Sequence, residues 1–129
     1  MSPPRFDAAT LATLARIREI DLETASPDGA QTHRTTIWLV TVGDQVFVRS
    51  ERGTAGRWWR EARHDPDLIV HAEAEAIPVT AVLAADPDTV QRVSDAFLAK
   101  YGRRSAASTA AMLRPHTLDT TLRLDPRDR

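Results

Sequence analysis

Apolar residues at Phe6, Leu11, Leu14 and Ile17 recur with the spacing of one helical stripe, and Asp7 stands where an N-cap acceptor is wanted. A first helix is therefore predicted over residues 6–17. From Glu19 to Ala25 the pattern changes to strict alternation, the mark of a half-buried strand. Ser26-Pro27-Asp28-Gly29 is a turn cluster. Two β-rich runs follow, residues 35–42 and 45–50, around Gly43-Asp44, which suits a two-residue hairpin loop with glycine first. In that register Val40 faces Phe47 and Trp38 faces Arg49, while Ile37, Leu39, Val48 and Ser50 share the opposite side. Both sides are largely apolar. The hairpin is expected either to be a barrel wall covered by helices or to lay one face against a second subunit.

Residues 53–56 form a glycine-bearing loop, and residues 57–64 a short helix stopped by Asp65-Pro66. Residues 68–71 and 76–84 read as two more strands, joined or extended by the alternating Ala72, Glu73, Ala74 and Glu75. Asp86-Pro87-Asp88 starts a helix, with an acceptor followed by proline at the first helical position. Val90, Val93, Phe97 and Tyr101 give its apolar face, and Lys100 with Gly102 its C-terminal signal. Residues 103–111 read as a loop or a frayed helix, and residues 117–124 as a last strand pairing back onto an earlier one. The sum is a single α+β domain over residues 1–129, a small antiparallel β-barrel with flanking helices.

Composition narrows the chemistry. At 129 residues, a chain of this size removes about two-thirds of its unfolded surface on folding, enough for a core without staples. There is no cysteine, which excludes disulfides, thiolate chemistry and cysteine-held metal. The segment Met1-Ser2-Pro3-Pro4-Arg5 runs into an amphipathic stretch rather than a signal peptide, and no run approaches the roughly 18 apolar residues that cross a bilayer. A cytoplasmic protein with no membrane partner is expected. The 17 basic side chains balance 18 acidic ones, so nucleic acid is not an expected partner either.

Local charge is less even. Between Arg49 and His64 five arginines face two glutamates. Here a strand ends in Arg49-Ser50, a glycine-bearing turn follows, and a helix opens at Arg57. Unpaired N–H groups at a helix start suit a phosphate. Arg49, Arg52 and Arg57 can add guanidinium donors, and Ser50 and Thr54 hydroxyls. On spacing alone this is either a phosphate cradle or a solvated basic turn. It is neither a P-loop nor a dinucleotide fingerprint.

The runs Arg34-Thr35-Thr36-Ile37-Trp38-Leu39-Val40, Gln45-Val46-Phe47-Val48-Arg49-Ser50 and Gly56-Arg57-Trp58-Trp59-Arg60-Glu61-Ala62-Arg63-His64-Asp65-Pro66 resemble the FMN-binding split-barrel superfamily of pyridoxamine phosphate oxidases and deazaflavin-dependent nitroreductases. Within it, the Arg-Ser strand end and the Gly-Arg-Trp-Trp-Arg run look like the family DUF2255. The resemblance implies a homodimer with a flavin in a groove between subunits. It implies that Arg49, Ser50 and Arg57 hold the cofactor phosphate, that residues 35–40 run beside the ring, and that Trp38 or Trp58 lines the ring pocket. The usual Ser-x-Lys before the helix is replaced by Thr54-Ala55-Gly56-Arg57, which leaves the deazaflavin F420 as an alternative to FMN. That picture would fail if Arg57 faced bulk water, Ser50 were packed away from any groove and no cavity lay between the chains.

Other features weigh less. His33, His64, His71 and His116 are scattered without metal-ligand spacing, although His71, Glu73 and Glu75 would project to one side of a strand. Trp58 and Trp59 are adjacent and cannot share one helix face, so one belongs to the core or a dimer interface. Tyr101 reads as the end of a helical stripe, and Ser50 has no nucleophile-elbow context. The expected function is a flavin- or deazaflavin-dependent oxidoreductase of a small molecule, in which the cofactor carries the redox chemistry. The alternatives are a noncatalytic protein binding a flavin or phosphorylated ligand, and an interaction domain.

Overall fold

The computed structural model describes residues 3–128. In chain order the elements are α1 (Ala8–Arg16), β1 (Ile20–Ala25), β2 (Thr32–Ile37), β3 (Val40–Val42), β4 (Gln45–Val48), α2 (Arg57–His64), β5 (Asp67–Ala72), β6 (Glu75–Leu83), α3 (Pro87–Tyr101), α4 (Ala106–Ala111), α5 (Pro115–Leu118) and β7 (Leu122–Pro126), with a 3-10 turn over Gly53–Ala55. Among the described residues all seven strands form one sheet, in the order β2-β1-β5-β6-β7-β4-β3, and every pairing is antiparallel.

The two outermost strands, β2 and β3, are separated in sequence only by Trp38 and Leu39. Three steps of chain, Ile37 to Val40, span about 10 Å at most, so the sheet must curl until its margins nearly meet. The result is an α+β split barrel with flanking helices, the barrel that the doubly apolar hairpin suggests and the split form that the family resemblance implies. The expected unbroken strand over residues 35–42 is instead a bent one, giving one half to each margin. For that reason the hairpin ladder stops at Val40–Phe47 and does not extend to a Trp38–Arg49 pair.

Residues alternate between two cores. Leu22, Leu39, Val46, Val48, Val70, Val79, Leu122 and Leu124 fill the barrel, closed at one side by Trp58 and Ala62 of α2. Val40 and Phe47 point outward, under Val93, Phe97 and Tyr101 of α3 and Met112, with Trp38 packed against them. The doubly apolar hairpin is thus a barrel wall beneath a helix. Its loop has Gly43 at φ 60, a conformation glycine adopts freely.

Local signals account for most element ends. Asp7 accepts from Thr10 N at 2.8 Å, and Asp86 caps α3 through Thr89 N with Pro87 behind it. Helix α2 is tied to the sheet by Glu61, which is 5% exposed. Its carboxylate accepts from the Thr24 hydroxyl at 2.7 Å and meets His33 Nδ1 at 3.0 Å. Burial acts to raise the Glu61 pKa, but the bonds from Thr24 and His33 and the charge of Arg57 outweigh it and hold the group below its ordinary value.

Residues 106–111 form the helix α4, the helical alternative expected for this segment, with Thr109 and Ala111 buried. Two expectations need correction. The last strand starts at Leu122 rather than Thr117. Residues 115–118 instead form the short helix α5, entered through Pro115, and the Thr117 and Thr120 hydroxyls bond backward to Ala111 O and Thr117 O. Glu73 is in the β5–β6 turn at φ 54, so it does not share a strand face with His71, which meets Glu23 at 2.8 Å.

Candidate functional site

Where β2 breaks, a cavity of about 260 Å³ opens on the outer side of the barrel. Thr36, Ile37 and Trp38 form one wall, Arg49 and Glu51 from the end of β4 the floor and rim, and Ser108 and Met112 the opposite side, with Glu19 also at the lining. Trp38 is held flat. Its ring stacks on Tyr101 at 4.0 Å between centroids and 4° between planes.

Tyr101 is anchored in turn. Its hydroxyl lies 2.7 Å from Arg18 O and 2.9 Å from Leu39 O, and Leu39 N donates to it at 3.4 Å. The break in the edge strand frees carbonyl and amide groups from the ladder, and Tyr101 collects them. Burial pushes the Tyr101 pKa up to about 12, against the opposing effects of the Leu39 bond and the Arg18 charge.

Arg49 is 1% exposed, and its known bonds all reach neutral acceptors. Nε donates to Thr121 Oγ1 at 2.9 Å, Nη1 to Ser94 Oγ at 2.9 Å and Met112 O at 3.1 Å, and Nη2 to Val90 O at 2.8 Å. One guanidinium thereby fastens β4 to α3, to the end of α4 and to the approach to β7. Burial pulls its pKa down to about 10, so it stays charged at neutral pH and contributes positive potential to the cavity floor.

The remaining predicted residues divide into two groups. Ser50 is buried, its N–H donates to Thr120 Oγ1 at 2.9 Å, and Trp58 belongs to the barrel core; neither lines the cavity. Arg52, Thr54 and Arg57 are exposed on the 3-10 turn and at the start of α2. Helix α2 starts from Gly56 without a side-chain cap. The structure therefore brings Trp38 and Arg49 together at a cavity, and places three further donors on the adjoining turn with Arg57 facing solvent in the single chain. Trp59, the other half of the tryptophan pair, is half-buried and donates to Thr120 O at 3.1 Å.

The residues missed by sequence reasoning are Thr120 and Thr121, which receive Ser50 N and Arg49 Nε and so fix the end of β4. A Thr-Thr pair before alternating leucines looks like strand, and nothing in it announces an acceptor. Gly56 is a second one: a Cβ there would lie 2.4 Å from Ser50 Oγ. Gly56→Ala is expected to cost about 1–3 kcal/mol from overpacking. In a Ser50→Ala background, where the nearer atom is gone, most of that cost should vanish. Urea denaturation of the four proteins in this cycle reads the effect, and equal penalties in both backgrounds would refute the contact.

Residues 10–124 match the model of a family described as an uncharacterized protein conserved in bacteria, DUF2255. The chain belongs to this family. No curated protein sequence matches it. Among solved structures, HutZ, the heme storage protein of Vibrio cholerae, is similar with a TM-score of 0.69 at 14% identity, over 97% of this chain and 92% of that one. A putative pyridoxamine 5'-phosphate oxidase from Listeria innocua gives 0.65 at 15% identity, over 93% and 92%. An F420-H2 dependent reductase gives 0.62 at 11%, over 83% and 93%. At these identities the likeness establishes the split-barrel fold of this DUF2255 chain. Among its described residues no helix is long and apolar enough to cross a membrane, and no group of three or more histidines and carboxylates is placed to hold a metal ion.

Proposed function

We propose that this DUF2255 protein binds FMN, or the deazaflavin F420 in its place, and acts in the cytoplasm as an oxidoreductase on a small molecule, with two copies of the chain completing the site. The observation that carries the reading is the cavity itself, an aromatic wall at Trp38 over a buried cation, Arg49, that is bonded to neutral groups. A flat, electron-accepting ring beside Trp38, carrying a phosphate, matches the site, and Arg52, Thr54 and Arg57 on the adjoining turn supply donors for the phosphate.

The cavity of about 260 Å³ is smaller than the roughly 300–1,000 Å³ of ordinary ligand pockets, so one chain does not enclose such a ring. A second subunit laid across the opening supplies the missing wall, and a domain-swapped dimer is among the solved structures of similar fold. The bound cofactor would carry the hydride or electrons. The protein's residues position it: Trp38 sets the ring plane, Arg49 holds the floor positive, and Ser50, bonded through its backbone to Thr120, fixes the turn that presents Arg52 and Arg57. The similar fold of a putative pyridoxamine 5'-phosphate oxidase and of an F420-H2 dependent reductase supports a redox cofactor of this class.

Titrating purified protein with FMN or F420 is expected to quench tryptophan emission saturably, and Arg57→Ala to weaken that binding about 10- to 100-fold, the worth of a charged hydrogen bond. Light scattering should give a dimer. Absence of quenching by either cofactor, or full affinity in Arg57→Ala, would overturn the assignment. A noncatalytic binding protein is the second reading, favoured by the small cavity, which leaves little room beside a ring for a substrate. Bound cofactor that reductants and acceptors cannot turn over would decide for it.

A further inference from the structure

The mouth of the Trp38 cavity is flanked by opposite charges. On one side the rim residue Glu51 leads through the 3-10 turn into α2, where Arg57, Arg60, Arg63 and His64 are exposed while Trp58, Glu61 and Ala62 are buried. Three or four residues apart, the exposed side chains share one helix face, which runs for about 9 Å from Arg57 to Arg63. Arg57 acts on the buried Glu61. Arg60 and Arg63 make no ion pair among the described residues, whereas Arg5, Arg16, Arg34, Arg92, Arg123 and Arg127 each do.

On the other side, Glu19 and Thr36 line both the cavity and a second, open groove of about 500 Å³. This groove takes in Asp21 and His71, Arg34, and Glu73 and Glu75 around the β5–β6 turn. Its two basic side chains both turn to Glu23, Arg34 at 3.6 Å and His71 at 2.8 Å. Asp21 accepts from the Thr36 hydroxyl at 2.6 Å, and Glu73 pairs with Arg16. Carboxylates outnumber cations in the groove, and the reverse holds on α2. The whole chain is nearly balanced, with 17 basic side chains against 18 acidic ones, so the excess on each face is matched by the other face of the same sequence. A two-fold axis through the mouth lays the basic flank of one copy on the acidic flank of the next, twice over.

We propose that two copies of this chain dock mouth to mouth about a two-fold axis, each seating the arginine face of its α2 in the acidic groove of the other. The inference rests on the reading that a second copy completes the cavity, and adds which surfaces meet. Ile37 and Trp38, half-buried at each mouth, supply the apolar centre, and the charged flanks form the rim. Exposed ion pairs add little affinity singly, so their contribution is register: other rotations set arginine against arginine or carboxylate against carboxylate.

Sedimentation velocity and native mass spectrometry of the full chain test this. The wild-type protein should be a dimer whose dissociation constant rises at least about tenfold between about 50 and 500 mM sodium chloride, as screening weakens the flanks. Arg60→Glu/Arg63→Glu and Glu73→Arg/Glu75→Arg should each weaken the dimer at least about tenfold at low salt, because like charges then face each other at both flanks. All four side chains are exposed, so both variants should fold. An equimolar mixture of the two variants should recover a dimer of wild-type affinity with one copy of each, since in it every α2 meets a groove of opposite charge. A monomeric wild type, a dimer indifferent to salt, variants that dimerise as the wild type does, or a mixture without mixed dimers would overturn the proposal. Mixed dimers of a protein that neither FMN nor F420 quenches would uphold the interface and sink the cofactor reading alone.

Discussion

Arg49→Ala is expected to destabilise the protein by about 3 kcal/mol or more, read as a fall in the midpoint of chemical denaturation. Truncation leaves Val90 O and Met112 O without that donor, removes a partner from the hydroxyls of Ser94 and Thr121, and opens a void beneath α3. Each lost bond to a buried acceptor is worth about 1 kcal/mol or more, and the void adds to it. The desolvation that lowers the arginine's pKa offsets part of this gain, which keeps the estimate near the low end. Arg49→Met refills much of the space without restoring a donor, so it should recover only part of the loss. A change below about 1 kcal/mol for the alanine variant would mean that the guanidinium is not the fastener its geometry describes.

Tyr101→Phe should cost about 1–3 kcal/mol while leaving the ring stack on Trp38 in place. What disappears is the hydroxyl that shares its one proton between Arg18 O and Leu39 O and accepts from Leu39 N, while Leu39 O keeps its bond from Lys100 Nζ. The pH dependence gives an independent check. The folded-state pKa of about 12 lies above the ordinary tyrosine value near 10, so the hydroxyl's stabilisation is complete below pH 10 and is lost as pH rises through 12. The wild-type protein should lose stability over that interval by an amount that Tyr101→Phe does not. Parallel stability curves for the two proteins from pH 9 to 12 would count against the assigned bonds.

Both predictions concern contacts that join distant parts of the chain, and that is where the sequence was hardest to read. Elements with local causes were legible: Asp7 and Asp86-Pro87 start their helices, Asp65-Pro66 ends α2, and the Gly43 loop sets Val40 against Phe47. The doubly apolar hairpin also foretold a helix over the barrel wall. The break at Trp38–Leu39 was hidden, because residues 35–42 keep strand composition throughout and only the pairing of β2 with β1 and of β3 with β4 forces the bend. Trp38 and Arg49 could be named as candidates from the strand end and the basic run. The acceptors that bury Arg49 lie 41 to 72 positions away, beyond any local pattern. Ser50 was readable as a hydroxyl at the strand end, but not its place beneath Gly56, which depends on how tightly the turn folds back.

The position of β7 between β6 and β4 bears on how the protein acquires its shape. Of the seven described strands the latest in the chain is the one inserted inside the wall, so β4 and β6 expose unpaired backbone until it arrives. Closure must therefore wait until β7 has been made, and the intermediate before it presents two open strands that could capture a neighbouring chain.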